Sequence, residues 1–133
     1  MTDPYHIAIT LPILPRLNPA DNRHWRTRQR EKTRIQDEVR IAAMGKAPPE
    51  PLQVARIRCT RHSSAEPDGD NLAYSFKMIL DQLVCCGVLA DDAPRHIAGG
   101  MAEYCWEKVS PKRGRVTIEV WEAANSAGGD DEG

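Results

Sequence analysis

Asp70 to Gly87 reads DNLAYSFKMILDQLVCCG. Leu72, Phe76, Ile79, Leu80 and Leu83 recur at helical spacing, which predicts a single helix from Asn71 to Cys86 with one apolar face. Asp70 stands where a helix N-cap belongs, and Gly87 where a helix stops. On either side the pattern changes. Upstream, Leu52 to Thr60 alternates Leu52, Val54, Ile57 and Cys59 with some irregularity, and its β-branched content favours a strand. A polar loop, Arg61 to Gly69, joins that strand to the helix. Downstream, Ile97 to Lys108 and Val116 to Trp121 read as two strands joined by the basic turn Ser110-Pro111-Lys112-Arg113-Gly114.

Towards the N-terminus, Ile7, Ile9 and Leu11 alternate with smaller or polar residues, so Tyr5 to Leu14 reads as a first strand. Pro12, Pro15 and Pro19 break it into an extended loop. The spacing of Ile35, Val39, Ala42 and Ala43 predicts a helix from about Thr27 to Met44, with arginines on its polar face. Gly45 to Pro51, with three prolines, is a connector. The order β-α-β-α-β-β gives an α+β fold, a small mixed sheet packed with two main helices.

A chain of 133 residues has room for one modest core. One domain is expected over residues 1–122, with a small, polar, acidic tail over 123–133 expected to be disordered. No stretch approaches the roughly 20 apolar residues of a membrane helix, and no basic segment precedes an apolar signal core. A cytoplasmic protein with no membrane partner is expected. Cys59, Cys85, Cys86 and Cys105 form no C-x-x-C pair, and no histidine stands at zinc-finger spacing, so reduced and mostly buried thiols are expected.

The net charge of −1, from 18 basic and 19 acidic residues, hides an uneven distribution. Arg16, Arg23, Arg26, Arg28, Arg30, Lys32 and Arg34 face only Asp21 and Glu31 in the same stretch. Such a patch neutralises phosphates and releases counterions; a merely solvated helix face carries the same composition. The acids gather between Asp68 and Asp92 and in the tail.

Two segments carry chemistry: Pro67-Asp68-Gly69-Asp70-Asn71-Leu72 and Gly87-Val88-Leu89-Ala90-Asp91-Asp92. Aspartates one residue apart in an extended segment point to the same side, so Asp68 and Asp70 are placed to share an ion. A helix of about 16 residues rises roughly 24 Å and carries Asp92 away from Asp70, so the fold must return it. Hard oxygen ligands without histidine or cysteine suit Mg²⁺, with Mn²⁺ as a substitute. Metal-assisted phosphodiester hydrolysis needs such a set. Taken singly, Asp68-Gly69 reads equally as a turn, Asp70 as a cap and Asp91-Asp92 as a solvated bend. An EF-hand is excluded, because Leu72 falls where that loop needs an oxygen ligand and Ala73 where it needs glycine.

In combination these residues resemble the RusA family of Holliday junction resolvases. D-G-D-N-L, a helix with Lys77 and Asp81-x-Leu83, then G-V-L-A-D-D before a strand, is similar to that family's pattern. Leu11-Pro12 and Asn22-Arg23-His24-Trp25 are similar to its L-P and N-x-x-W elements. The resemblance spans most of Leu11 to Trp121. It implies a homodimer, of bacterial or phage origin, that resolves four-way or branched DNA by paired Mg²⁺-dependent cuts in recombination and repair. It further implies that Asp68, Asp70 and Asp92 bind the metal. The family lysine, at one common spacing, falls on Tyr74; Lys77, close to one helical turn later, supplies the same charge. Asp81 reads as an ion-pair partner or a peripheral residue.

The expected DNA contacts are Arg23, His24, Trp25, Arg26, Arg28, Arg30, Lys32, Arg34 and Asn71. The cations meet phosphates, and His24 and Trp25 stack on unpaired bases; for Trp25, core packing is the competing role. Two other functions fit the residues: a structure-selective DNA-binding protein without catalysis, and a metal-dependent nucleotide phosphohydrolase.

Overall fold

The computed structural model describes residues 4–15 and 25–123. It is a mixed α+β fold of four strands and three helices, β1 (His6–Leu11), α1 (Trp25–Ala43), β2 (Ala55–Ser63), α2 (Gly69–Ser75), α3 (Lys77–Cys85), β3 (Glu103–Lys108) and β4 (Arg115–Glu122). The sheet order is β1-β4-β2-β3, with β4 antiparallel to both β1 and β2, and β3 parallel to β2. A parallel neighbour needs a crossover, and α2 and α3 lie within it. The expected tail at 123–133 lies outside the described residues beyond Ala123.

Period-two alternation divides the sheet into two faces. Ile7, Ile9, Leu11, Ala55, Ile57, Cys59, Val116, Ile118 and Val120 point to one of them and are buried. They share a core with Ile35 and Val39 of α1 and with Leu72, Phe76, Ile79, Leu80 and Leu83 of the paired helices. The opposite face carries His6, Arg56, Arg58, His62, Thr117, Glu119 and Trp121, exposed or half-buried. Among the described residues no helix is long and apolar enough to cross a membrane.

The predicted single helix is two. Ser75 Oγ donates to Leu72 O at 2.7 Å, occupying the carbonyl that the Phe76 N–H would meet in a continuous helix, and Phe76 N–H turns to Ala73 O at 3.2 Å instead. A buried serine competing for an i−3 carbonyl is a known helix disturber, and here the chain changes helix at Phe76. Gly87 ends α3 as expected: at φ +83° it lets its own N–H reach Val84 O and the Val88 N–H reach Leu83 O, a Schellman closure that favours glycine.

Other boundaries move. Asp68, not Asp70, is the N-cap residue of α2, extended at φ −65°, ψ 149° and without a side-chain cap bond. Strand β2 runs on through Arg61 to Ser63, while Leu52 pairs separately with Leu89. The predicted strand from Ile97 starts only at Glu103, because 94–96 and 98–100 form 3-10 turns, the second with Gly99 at φ +80°. The cysteines are free but not mostly buried: Cys59 is buried, Cys85 exposed, and Cys86 and Cys105 half-buried. Burial pushes the Cys59 thiol up, out of thiolate range.

Candidate functional site

The break at Phe76 aims two helices at one hollow. Asp70, Ala73 and Tyr74 from α2, and Lys77 and Leu80 from α3, line a cavity of about 440 Å³ together with Asp92, Pro94, Ile97, Gly100, Met101, Ala102 and Tyr104. Phe76 is fully buried and packs against Tyr104, ring centroids 6.0 Å apart. The cavity is thus hinged on a residue locked in the core.

Asp92 reaches this place by backbone pairing. After α3 the chain runs beside the start of β2: Leu52 N–H donates to Val88 O and Ala90 N–H to Leu52 O, both at 2.9 Å. A second parallel bridge joins Ala55 to Ile97. Asp91 and Asp92 lie between these two anchors, so the segment returns past the helices instead of continuing away from them.

Like charge concentrates there. Burial, a hydrogen bond and repulsion from the Asp81 carboxylate, and a further bond to Asp91 hold the Asp92 carboxyl above the usual aspartate range, while Lys77 pulls it down. A proton shared by crowded carboxyls is the ordinary response to such packing. The Asp92 backbone N–H also donates to Asp91 Oδ1 at 2.7 Å. Burial, then Cys59 and Asp92, push the Tyr104 hydroxyl up, so it stays a neutral donor.

The expected site residues are therefore placed unequally. Asp70, Asp92 and Lys77 share the cavity, and Tyr74 lines it beside Lys77, so the two lysine positions suggested by the sequence meet the same space from different helices. Asp68 is exposed and does not line it. With Asp68 extended and Asp70 inside a helix, the period-two argument for pairing them does not apply. Among the described residues no three histidine, cysteine, aspartate or glutamate side chains are grouped closely enough to hold a metal ion. Asn71 is half-buried beside Asp70 in α2. Asp81, read as an ion-pair partner or a peripheral residue, shares a side-chain hydrogen bond with Asp92; its place one helical turn after Lys77 was the available signal, but the partner across the turn was not.

On α1, Arg26, Arg28, Arg30, Lys32 and Arg34 are exposed, and Trp25 is 57% exposed, which removes core packing as its role. Arg26 lies over the Trp25 ring, its Cζ 5.8 Å from the centroid. Arg23 and His24 lie outside the described residues. The chain matches no protein-family model, and no curated protein matches it.

Proposed function

We propose that this chain is a divalent-metal-dependent endonuclease of branched DNA that resolves four-way junctions, working as a homodimer. The observation that carries the reading is the meeting of Asp70, Asp92 and Lys77 around one cavity, with Asp81 and Asp91 pressed on Asp92. Carboxylates held together against their own repulsion suit a cation that relieves it. The donors are all oxygen, the chemistry of Mg²⁺ or Mn²⁺. Of the three carboxylates the resemblance names, Asp70 and Asp92 line the cavity and would hold the ion, while Asp68 lies outside it. When bound, such an ion polarises a phosphodiester and acidifies an attacking water.

The chain's own groups do the rest. Lys77 sets a positive charge beside Asp92, where a scissile phosphate gathers negative charge. The neutral Tyr104 hydroxyl supplies a hydrogen-bond donor on the cavity wall. The exposed arginines of α1 meet the phosphates of the junction arms and give affinity without base specificity, and Trp25, exposed at the start of α1, stacks on unpaired bases. A two-fold pair of sites matches the symmetry of a four-way junction, which needs cuts in two opposed strands.

The test is a labelled four-way junction with Mg²⁺ or EDTA and a linear duplex control. Asp70→Asn is expected to lower cleavage at least about 100-fold while junction binding is retained; undiminished cleavage removes Asp70 from the site. The exposed position of Asp68, outside the cavity, favours a second reading, a structure-selective DNA-binding protein. In that case the wild type shifts the junction without nicking it. Hydrolysis of nucleoside triphosphates in place of the junction would mark a phosphohydrolase.

A further inference from the structure

We infer that the cleft between α1 and the β3–β4 turn is a second phosphate-binding groove, which takes the sugar–phosphate backbone of a DNA arm away from the carboxylate cavity. The inference rests on the nuclease reading and extends it to a surface for which the turn supplies half of the charge. The cleft has a volume of about 290 Å³; Arg34 stands on its α1 side and Lys112 on its turn side, with residues 12–15 and Gly114 between them. Glu31 is the acid in its lining.

Three observations point to an anion. First, Arg34 and Lys112 are exposed and have no ion-pair partner among the described residues. Arg56 and Arg58 of β2, by contrast, are matched by glutamates. Second, Arg61 lies directly behind the wall. Its side chain is buried, 7% exposed, and donates from Nη1 to Pro15 O at 2.7 Å, while its Nε has no partner. No acid among the described residues pairs with it. A buried guanidinium without a counterion is costly, and Pro15, whose carbonyl it holds, lines the cleft. Third, the wall is close-fitted: a Cβ at Gly114 would stand 2.6 Å from Leu14 Cδ1. Glycine there lets the Leu14 side chain pack against the turn.

The shape of the charge selects a backbone over a single small anion. Arg30 and Arg34 are one turn apart on the same face of α1, about 5–6 Å between their Cβ atoms, and Lys112 lines the cleft with Arg34. Several separate cations match a polyanion better than a single small anion.

The experiment uses the whole chain and a fluorescent four-way junction in EDTA, with affinity measured by anisotropy across a salt series. Arg34→Ala/Lys112→Ala is expected to weaken binding about 10-fold or more at 0.1 M salt and to lower the log–log salt slope by about 2, close to one for each cation that no longer meets a phosphate. Arg56→Ala, on the opposite sheet face, is expected to leave both unchanged. Both substituted residues of the double variant are exposed, and circular dichroism melting verifies its fold. A wild type that binds the junction while the double variant keeps its affinity and slope overturns the groove and leaves the nuclease reading standing. A wild type that binds no junction at all overturns both.

Discussion

On the open face of the sheet, Arg56, Arg58 and His62 each meet a glutamate where they stand. Arg56 and Arg58 stack over the Trp121 ring, their Cζ atoms 4.7 and 5.6 Å from its centroid, and reach Glu103 at 3.4 and 3.5 Å. Arg58 also meets Glu119, and His62 bridges Glu107 at 2.7 Å and Thr117 at 3.1 Å. At the carboxylate cavity and the cleft beside the β3–β4 turn the opposite holds. Asp92 is packed against two other carboxyls, and among the described residues Arg61 is buried without an acid while Arg34 and Lys112 face a cleft without an ion-pair partner. A face that satisfies its own charges has little left to offer a ligand. One that stores uncompensated charge has the means to bind ions of the other sign.

The contrast can be broken most severely at the hinge of the strained side. Phe76→Ala empties a fully buried site under the cavity and is expected to cost about 3–5 kcal/mol, read as a lower midpoint in urea denaturation. Ser75→Ala removes the hydroxyl that diverts the helix. A loss of about 0.5–1.5 kcal/mol is expected, together with reduced junction cleavage as the Leu72 carbonyl returns to the Phe76 N–H. Unchanged cleavage would mean that the bend does not shape the site.

Asp92→Asn tests the crowding itself, and its sign is opposite. The folded chain holds a proton on Asp92 at pH values where the unfolded chain has released it, so stability falls as pH rises between the ordinary and the raised value. Above that window the full cost stands. The variant is therefore expected to melt higher than the wild type at pH 7 without metal, by a few degrees at most because solvent screens the largely open Asp92. That gain disappears on acidification below the ordinary aspartate value, and cleavage is lost. The smallest effect belongs to the satisfied face: Glu103→Gln is expected to change stability by less than about 0.5 kcal/mol, as exposed pairs do, and to leave the salt dependence of DNA binding unchanged.

Much of this was legible in the chain. The alternation of Ile7, Ile9 and Leu11, the spacing of Ile35 and Val39, and the stop at Gly87 depend only on near neighbours, and they fixed the mixed α+β order. The same holds for the basic stretch ending at Arg34 and for the two aspartate motifs, since residue type and spacing are properties of the sequence alone. What spacing does not carry is a partner from another segment. The break at Phe76 depended on a buried Ser75 choosing the Leu72 carbonyl, a choice that no apolar pattern records. The return of Asp92 needed bridges from Leu52 to Leu89 and from Ala55 to Ile97, and the contact of Asp81 with Asp92 followed from that return. The cancellation of Arg56 and Arg58, and the burial of Arg61 behind Pro15, were decided by strand register. Register sums many weak contacts between distant segments, and only the folded chain evaluates them together.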